Sequence, residues 1–436
     1  MPSVLIAGGG LSGLAAAAAL AEAGFSVTVL ESRGFLGGRA SSYPLQDADV
    51  IDNCQHVLLR CCVNLLDFYR RLNVADRIRF HRTFHFLEPG GRESRLERGP
   101  LPAPLHFSGA FLRMACLDLP DKVSIVRGLL ALQRERGRDD LDRISMLDWL
   151  HEKRQTPRAI TRFWNQVLVS AINEDLDRMA ASHGFQVFWL GFLSSADSYE
   201  MGVPDVPLGD LYAAGLWDRF GTVRLCPRTP VEAIETDGGR VRGVRAGGEH
   251  WTADAYIAAL EPHRVNGVCP SLDLDLSWVE YSPIAGIHLW FDRPVTELPH
   301  AALLDRTIQW MFNKKDGRYL QVVVSAARSL AGMAKNDVVE LALRELGEFL
   351  PAVRGARLER SHVVKEMRAT FSAKPGIETL RPEPQTKLAN LFLAGDWTRS
   401  GWPATMEGAV RSGYRAAEAA AAALGVPARF LLPDIA

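Results

Sequence analysis

The run "SVLIAGGGLSGLAAAAALAEAGFSVTVLE", residues 3–31, constrains this chain more than any other stretch. "SVLIA" reads as a short strand buried on both faces, because it is continuously aliphatic. Gly8, Gly10 and Gly13 then fill G-x-G-x-x-G, and an Ala-rich helix runs from Leu14 to Ala23, where Gly24 ends it. "SVTVLE" forms a second strand that closes on Glu31. Strand, glycine loop, helix, strand and acid in that order make a dinucleotide site. One glycine permits the tight turn, one lets backbone approach the pyrophosphate, and one lets helix pack on strand. Leu11 and Ser12 of the glycine loop join the cradle before the helix, whose unpaired N–H groups face the phosphates, while Glu31, with Ser32 beside it, accepts from ribose hydroxyls.

The stretch after Glu31, "SRGFLGGRASSY", supplies Gly37, Gly38 and Arg39. A second glycine pair followed by arginine lets backbone and guanidinium reach the same pyrophosphate from its other side. This arrangement resembles the FAD signature of glutathione-reductase-like flavoproteins, in particular their amine oxidase and phytoene desaturase branch. The far end of the chain, "NLFLAGDWTRSGWPATMEGAVRSGYRAAEAA", resembles the second FAD signature of that superfamily. The resemblance implies that Gly395 and Asp396 follow a buried strand, with Asp396 on ribitol or pyrophosphate hydroxyls. It also implies that Ala404, Thr405, Met406, Glu407 and Ala409 bring a helix start to the isoalloxazine, where reduction puts negative charge. The middle piece "TPVEAIETDGGRVRGVRAGGEHWTADAYIAAL" reads as two alternating strands around "DGGR" and a buried strand. In the superfamily the backbone near Val231 touches the adenine end.

The expected fold is therefore α/β: a glutathione-reductase-like FAD-binding Rossmann domain made from residues 1–80, 215–265 and 355–436, with an inserted α+β substrate domain from 81–214 and 266–354. Within the second insertion "PIAGIHLWFD", "IQWMFNK" and "RYLQVVVS" read as an antiparallel sheet. Trp310 and Phe312, two apart, share one face; Trp290 and Phe291 point opposite ways, so only one of them can join an aromatic wall. In the first insertion, apolar residues of "LPAPLHFSGAFLRMACLDLPDKVSIVRGLLALQRERGR" occupy more than one helical face. Two readings stay open there: a helical cap packed on the core, or a monotopic membrane patch that passes lipid into a tunnel.

Composition narrows the function classes. The chain has 436 residues with 50 basic and 51 acidic side chains, so no basic field exists to attract nucleic acid. Its six cysteines are too sparse for a disulfide scaffold, and a reduced cytoplasmic protein is the simple reading. The glycine-interrupted N-terminus lacks a basic n-region and is not read as a secretion signal. No stretch reaches the roughly 18 to 20 uninterrupted apolar residues that span a bilayer. Membrane contact, if any, is peripheral.

"IDNCQH", residues 51–56, places an acid, amides, a thiol and an imidazole together, with "RCC" shortly after. A metal site from Cys54, His56 and Cys61 or Cys62 fits no common zinc spacing. A Cys54–His56 nucleophile pair is weakly oriented, and a buried polar turn with His56 bonded to backbone is the bland alternative. A further reading comes from resemblance. "DNCQHVLL", "PLPAPLHF" and "LAGDWTRSGWPATMEGAVRSG" together resemble the bacterial hydroxysqualene dehydroxylases, also called squalene-associated FAD-dependent desaturases, along nearly the whole chain. That resemblance implies reduction of hydroxysqualene to squalene, upstream of hopanoid synthesis, with a long-chain isoprenoid as substrate and an electron donor not identified by sequence. The family is expected to carry glycine at the position of Cys54, which would allow close backbone approach or positive φ.

Replacing an allylic hydroxyl by hydrogen needs an acid to release water and a hydride, which reduced flavin gives from N5. Asp52 and His56 are the candidates for acid or relay, with Gln55 positioning and Glu407 a further candidate; His56 also comes near the flavin. The rivals are a prenyl or carotenoid desaturase running oxidised flavin, an amine oxidase using Lys365 with Trp397 or Trp402, and a non-catalytic prenyl-lipid carrier.

Overall fold

Residues 1–45 and 49–435 are described by the computed structural model. Its first sheet has five parallel strands in the order Val223–Cys226, Ser26–Leu30, Ser3–Ala7, Ala255–Ala258, Leu391–Leu393. These aliphatic runs need cover on both faces. Val4, Ile6, Val27, Val29, Ile257 and Phe392 pack on the helices Leu11–Glu22 and Met406–Ala423. Alternate residues, Leu5, Ala7, Tyr256, Ala258 and Leu393, pack with Val231, Ile234 and Val244 of a small antiparallel sheet. The "DGGR" turn of that small sheet places Gly238 and Gly239 at φ +56° and +74°, as a tight hairpin twist requires.

The second sheet has seven strands in the order Leu358–Phe371, Tyr281–Phe291, Tyr319–Val324, Trp310–Lys315, His300–Leu303, Thr83–Leu87, Glu93–Glu97. All neighbours are antiparallel except His300–Leu303 with Thr83–Leu87. The strand Leu358–Phe371, grouped by sequence with the nucleotide half, pairs along Tyr281–Phe291 in this sheet. One face, with Ile287, Leu289, Met311 and Val322, is covered by helix Lys335–Phe349. The other face carries Ile284, Trp310, Phe312 and Val323 and looks into a cavity.

Helices between residues 105 and 193 roof that cavity. Helix Leu119–Arg134 starts at a reciprocal cap in which the Asp118 and Asp121 side chains each accept from the other's end of the first turn. Its inner face buries Ile125 and Leu132, while Leu119, Val123, Val126 and Leu130 lie exposed at spacings of four, three and four. Apolar residues on two faces are thus a packed inner stripe and a bare outer one. No helix among the described residues is long and apolar enough to cross a membrane.

Among the buried histidines of the described residues, His183, His288 and His300 are the ones burial lowers furthest. Burial holds His288 and His300 down to about 3 and His183 down to about 4. Unfolded histidines titrate near 6.5, so below that pH the unfolded chain takes up protons that the fold refuses. Stability therefore falls as pH drops from about 6.5 toward about 4, by up to about 1.4 kcal/mol per pH unit for each histidine. Urea midpoints at pH 7.5 and pH 5 should show this loss, with a shallower fall in His300→Gln. Equal midpoints would contradict it.

Candidate active site

The nucleotide cradle is built mainly from backbone. Gly8 has φ +110°, and a Cβ there would sit 2.3 Å from the carbonyl oxygen of Ala259. A Cβ on Gly13 would fall 2.0 Å from the carbonyl oxygen of Gly8. Gly10, which caps the helix containing Leu11 and Ser12, is different: a Cβ there meets nothing nearer than Gly38 Cα at 3.9 Å. The Gly37 amide donates to Gly9 O at 2.9 Å, and Gly10 bridges Gly37, so the two glycine loops flank one cleft. An open cleft lined by peptide groups at a helix N-terminus fits a pyrophosphate. Glu31 accepts from the amides of Gly9 (2.8 Å) and Arg33 (2.7 Å) and from Ser32 Oγ (3.1 Å), which fixes its carboxylate beside the first loop. Thr229 N donates to Glu31 O, so the start of the Val231 strand lies at the same edge.

The two ends of the chain meet at Arg39. Its guanidinium donates to Asp396 Oδ1 at 2.6 Å and to Ala369 O at 2.8 Å. Gly395, at φ +145°, donates its N–H to Ser412 Oγ, and Thr405 caps the last helix by accepting from Gly408 N. Ala404 and Ala409 pack behind this turn, and Thr405 and Met406 line the cavity. Sequence reasoning did not single out Arg381, which is almost fully buried and donates to Asp396 O, Thr398 O and Ser400 Oγ. It holds the Asp396 loop in shape. No local motif marks that role, since the three loop acceptors lie 15 or more residues away, although Glu378, three residues back, also pairs with it.

The "IDNCQH" segment is a buried polar turn that reaches the cavity at Cys54 and Gln55. Asp52 accepts from Ser42 Oγ (2.7 Å) and Leu208 N (2.9 Å) and lies 3.4 Å from Lys314 Nζ. His56 Nδ1 bonds Cys54 O at 2.9 Å, and burial lowers its pKa, so the ring is neutral near pH 7. Neither Asp52 nor His56 lines the cavity; Gln55 does, and its Oε1 accepts from Lys314 Nζ at 2.8 Å. Burial pushes the Cys54 thiol up to about 12, which removes the nucleophile reading. Cys54 lacks a positive φ, and the close approach expected of a glycine is supplied by Gly286 on the facing strand, whose Cβ would stand 3.1 Å from Asn53 O. Lys314 was missed, although "WMFNK" carried a signal: Trp310, Phe312 and Lys314 recur at period two.

The cavity measures about 400 Å³. Trp310 and Phe312 share a wall as expected, their ring centroids 5.9 Å apart and nearly parallel. Leu58, Phe84, Phe163, Val187 and Phe188 add further apolar surface. Neither Trp290 nor Phe291 takes part: Trp290 stacks on Tyr319 at 4.4 Å, and Phe291 packs in the core under helix Lys335–Phe349. Glu407 borders the cavity, yet its carboxylate accepts from Asn64 Nδ2 (2.9 Å), Asn64 N (3.3 Å) and Leu65 N (2.7 Å). It caps helix Val63–Arg71 and is therefore a structural acceptor, not a free acid. Lys365 donates to Ala331 O and Met333 O, away from the cavity, and Trp397 is buried with its indole N–H on Leu260 O. Of that trio only Trp402 reaches the cavity, which leaves the amine oxidase reading without its lysine.

Known proteins agree with this architecture. The chain is 29% identical to a probable zeta-carotene desaturase of Synechococcus elongatus, across 95% of this chain and 98% of that protein. It is 27% identical to a 15-cis-phytoene desaturase of the same organism, across 95% of each. An oxidoreductase from Methanosarcina mazei shares the fold with a TM-score of 0.72 at 16% identity, covering 94% of this chain and 98% of that one. Residues 11–421 match the model for flavin containing amine oxidoreductases, and this chain is a member of that family, an FAD-dependent oxidoreductase.

Proposed function

We propose that the chain reduces hydroxysqualene to squalene. The observation that carries this reading is a polar pair, Gln55 with Lys314 bonded behind it, on a cavity whose walls are mainly aliphatic and aromatic, with Gln133, Gln166, Ser170 and Gln186 elsewhere in the lining. Such a site suits a long isoprenoid bearing a single hydroxyl, because the hydrocarbon fills apolar walls and the hydroxyl finds its partner. In the reaction the allylic C–O bond breaks, the oxygen leaves as water with an added proton, and a hydride takes its place on carbon. Bound FAD in its reduced form supplies the hydride equivalent.

The protein's part is positioning, protonation and exclusion of water. Gln55 orients the hydroxyl. Lys314 Nζ holds Gln55 Oε1 and touches Asp52, so a proton donor stands directly behind Gln55. The stacked faces of Trp310 and Phe312 favour positive charge developing on the allylic carbon. A second reading, desaturation of a carotenoid precursor, is favoured by the likeness to the Synechococcus desaturases and uses the same cavity without needing the Gln55–Lys314 pair. Anaerobic incubation of reduced holoprotein with hydroxysqualene, followed by lipid extraction, should give squalene in step with flavin oxidation. Recovery of unchanged alcohol would sink the first reading.

A further inference from the structure

The cavity opens through the helical roof. Leu105, Val126 and Leu130 both line it and stand 58%, 45% and 47% exposed. The same surface continues through Leu119 and Val123 on helix Leu119–Arg134 and Leu112, whose carbonyl accepts from Lys122 Nζ of the helix, all exposed. A contiguous bare patch of this kind is rare on a soluble surface without a partner. At its edge is a hollow lined by Leu119, Pro120, Val123, Arg127, Arg154 and Thr156. Arg127 lies one turn from both Val123 and Leu130 on helix Leu119–Arg134.

The charges around the hollow are unevenly matched. Asp118 is engaged by Arg158, and Asp121 accepts from Thr156 Oγ1 and Asp118 N. Among the described residues the side chains of Arg127 and Arg154 carry no ion pair or hydrogen bond, and both are exposed. We propose that this hollow binds the headgroup of an anionic phospholipid, seating the mouth of the cavity on a bilayer. Two free guanidinium groups match a phosphodiester, and the neighbouring leucine and valine side chains match the acyl region just beneath it. A docked protein of this orientation would receive an apolar substrate directly from lipid.

Vesicle binding tests this without any reaction, so its outcome is independent of the substrate assigned above. Full-length holoprotein is sedimented with vesicles of phosphatidylcholine alone and of phosphatidylcholine mixed with phosphatidylglycerol. Binding should favour the anionic vesicles, and R127Q/R154Q should weaken it by roughly 30-fold, about fivefold per arginine. Flavin content and thermal midpoint of the variant should match wild type. Equal binding to both vesicle types, or a preference that survives R127Q/R154Q, would overturn the proposal. So would displacement from vesicles by millimolar inorganic phosphate, which would assign the hollow to a free anion.

Discussion

Gly13→Ala should abolish the folded holoprotein. The added methyl carbon would sit 2.0 Å from the carbonyl oxygen of Gly8, a backbone atom within the turn that must hold the pyrophosphate. Overpacking against movable side chains costs about 1–3 kcal/mol. Here both partners are backbone, and relief requires opening the helix–strand junction at the centre of the parallel sheet. A loss above about 3 kcal/mol is a large share of typical stability, roughly 5–15 kcal/mol, and the cradle itself is distorted. The expected readout is insoluble or colourless protein. Gly137→Ala is the control, because its Cβ meets nothing within 4 Å and its effect should stay within about 0.5 kcal/mol. Yellow, soluble Gly13→Ala with an unchanged thermal midpoint would contradict the cradle geometry.

Lys314→Met and Gln55→Leu should each lower turnover by roughly 100-fold or more while leaving flavin content intact, the usual scale for losing a positioned proton donor or its partner. Methionine keeps the apolar stem of the lysine and removes the charge. Asp52 retains Ser42 and Leu208 as donors, so the turn should survive. Because the two side chains bond each other at 2.8 Å, the double variant should lose little beyond either single one. Substrate affinity should change less than turnover. A Lys314→Met enzyme within threefold of wild type would remove the lysine from the chemistry and return the site to a hydrocarbon tunnel.

The nucleotide half was legible because its determinants are local. Residues 3–31 contain the strand, glycine turn, helix and acid that the structure assembles, and the aliphatic runs, the glycine spacing and the Ala-rich stretch identified them in order. The shared face of Trp310 and Phe312 was legible for the same reason. Long-range partners were not. The pairing of Leu358–Phe371 with Tyr281–Phe291 is set by sheet register across some 80 residues, beyond any local window. Glu407 looked like an acid in a cavity until the amides of Asn64 and Leu65 were found on it. Lys314 sat in a strand already read for its aromatics, and its charge gained meaning only when Gln55 and Asp52 came to face it.

The direction of electron flow is the most direct test of the central claim. Stopped-flow absorbance would follow reduced holoprotein mixed anaerobically with hydroxysqualene, beside oxidised holoprotein mixed with phytoene or zeta-carotene. A site organised around the Gln55–Lys314 pair should return the reduced flavin to its yellow oxidised form only with the alcohol, and the oxidised flavin should stay unbleached by either hydrocarbon. Bleaching by a carotene, with reduced flavin inert toward the alcohol, would make the protein a desaturase and Gln55–Lys314 a structural pair.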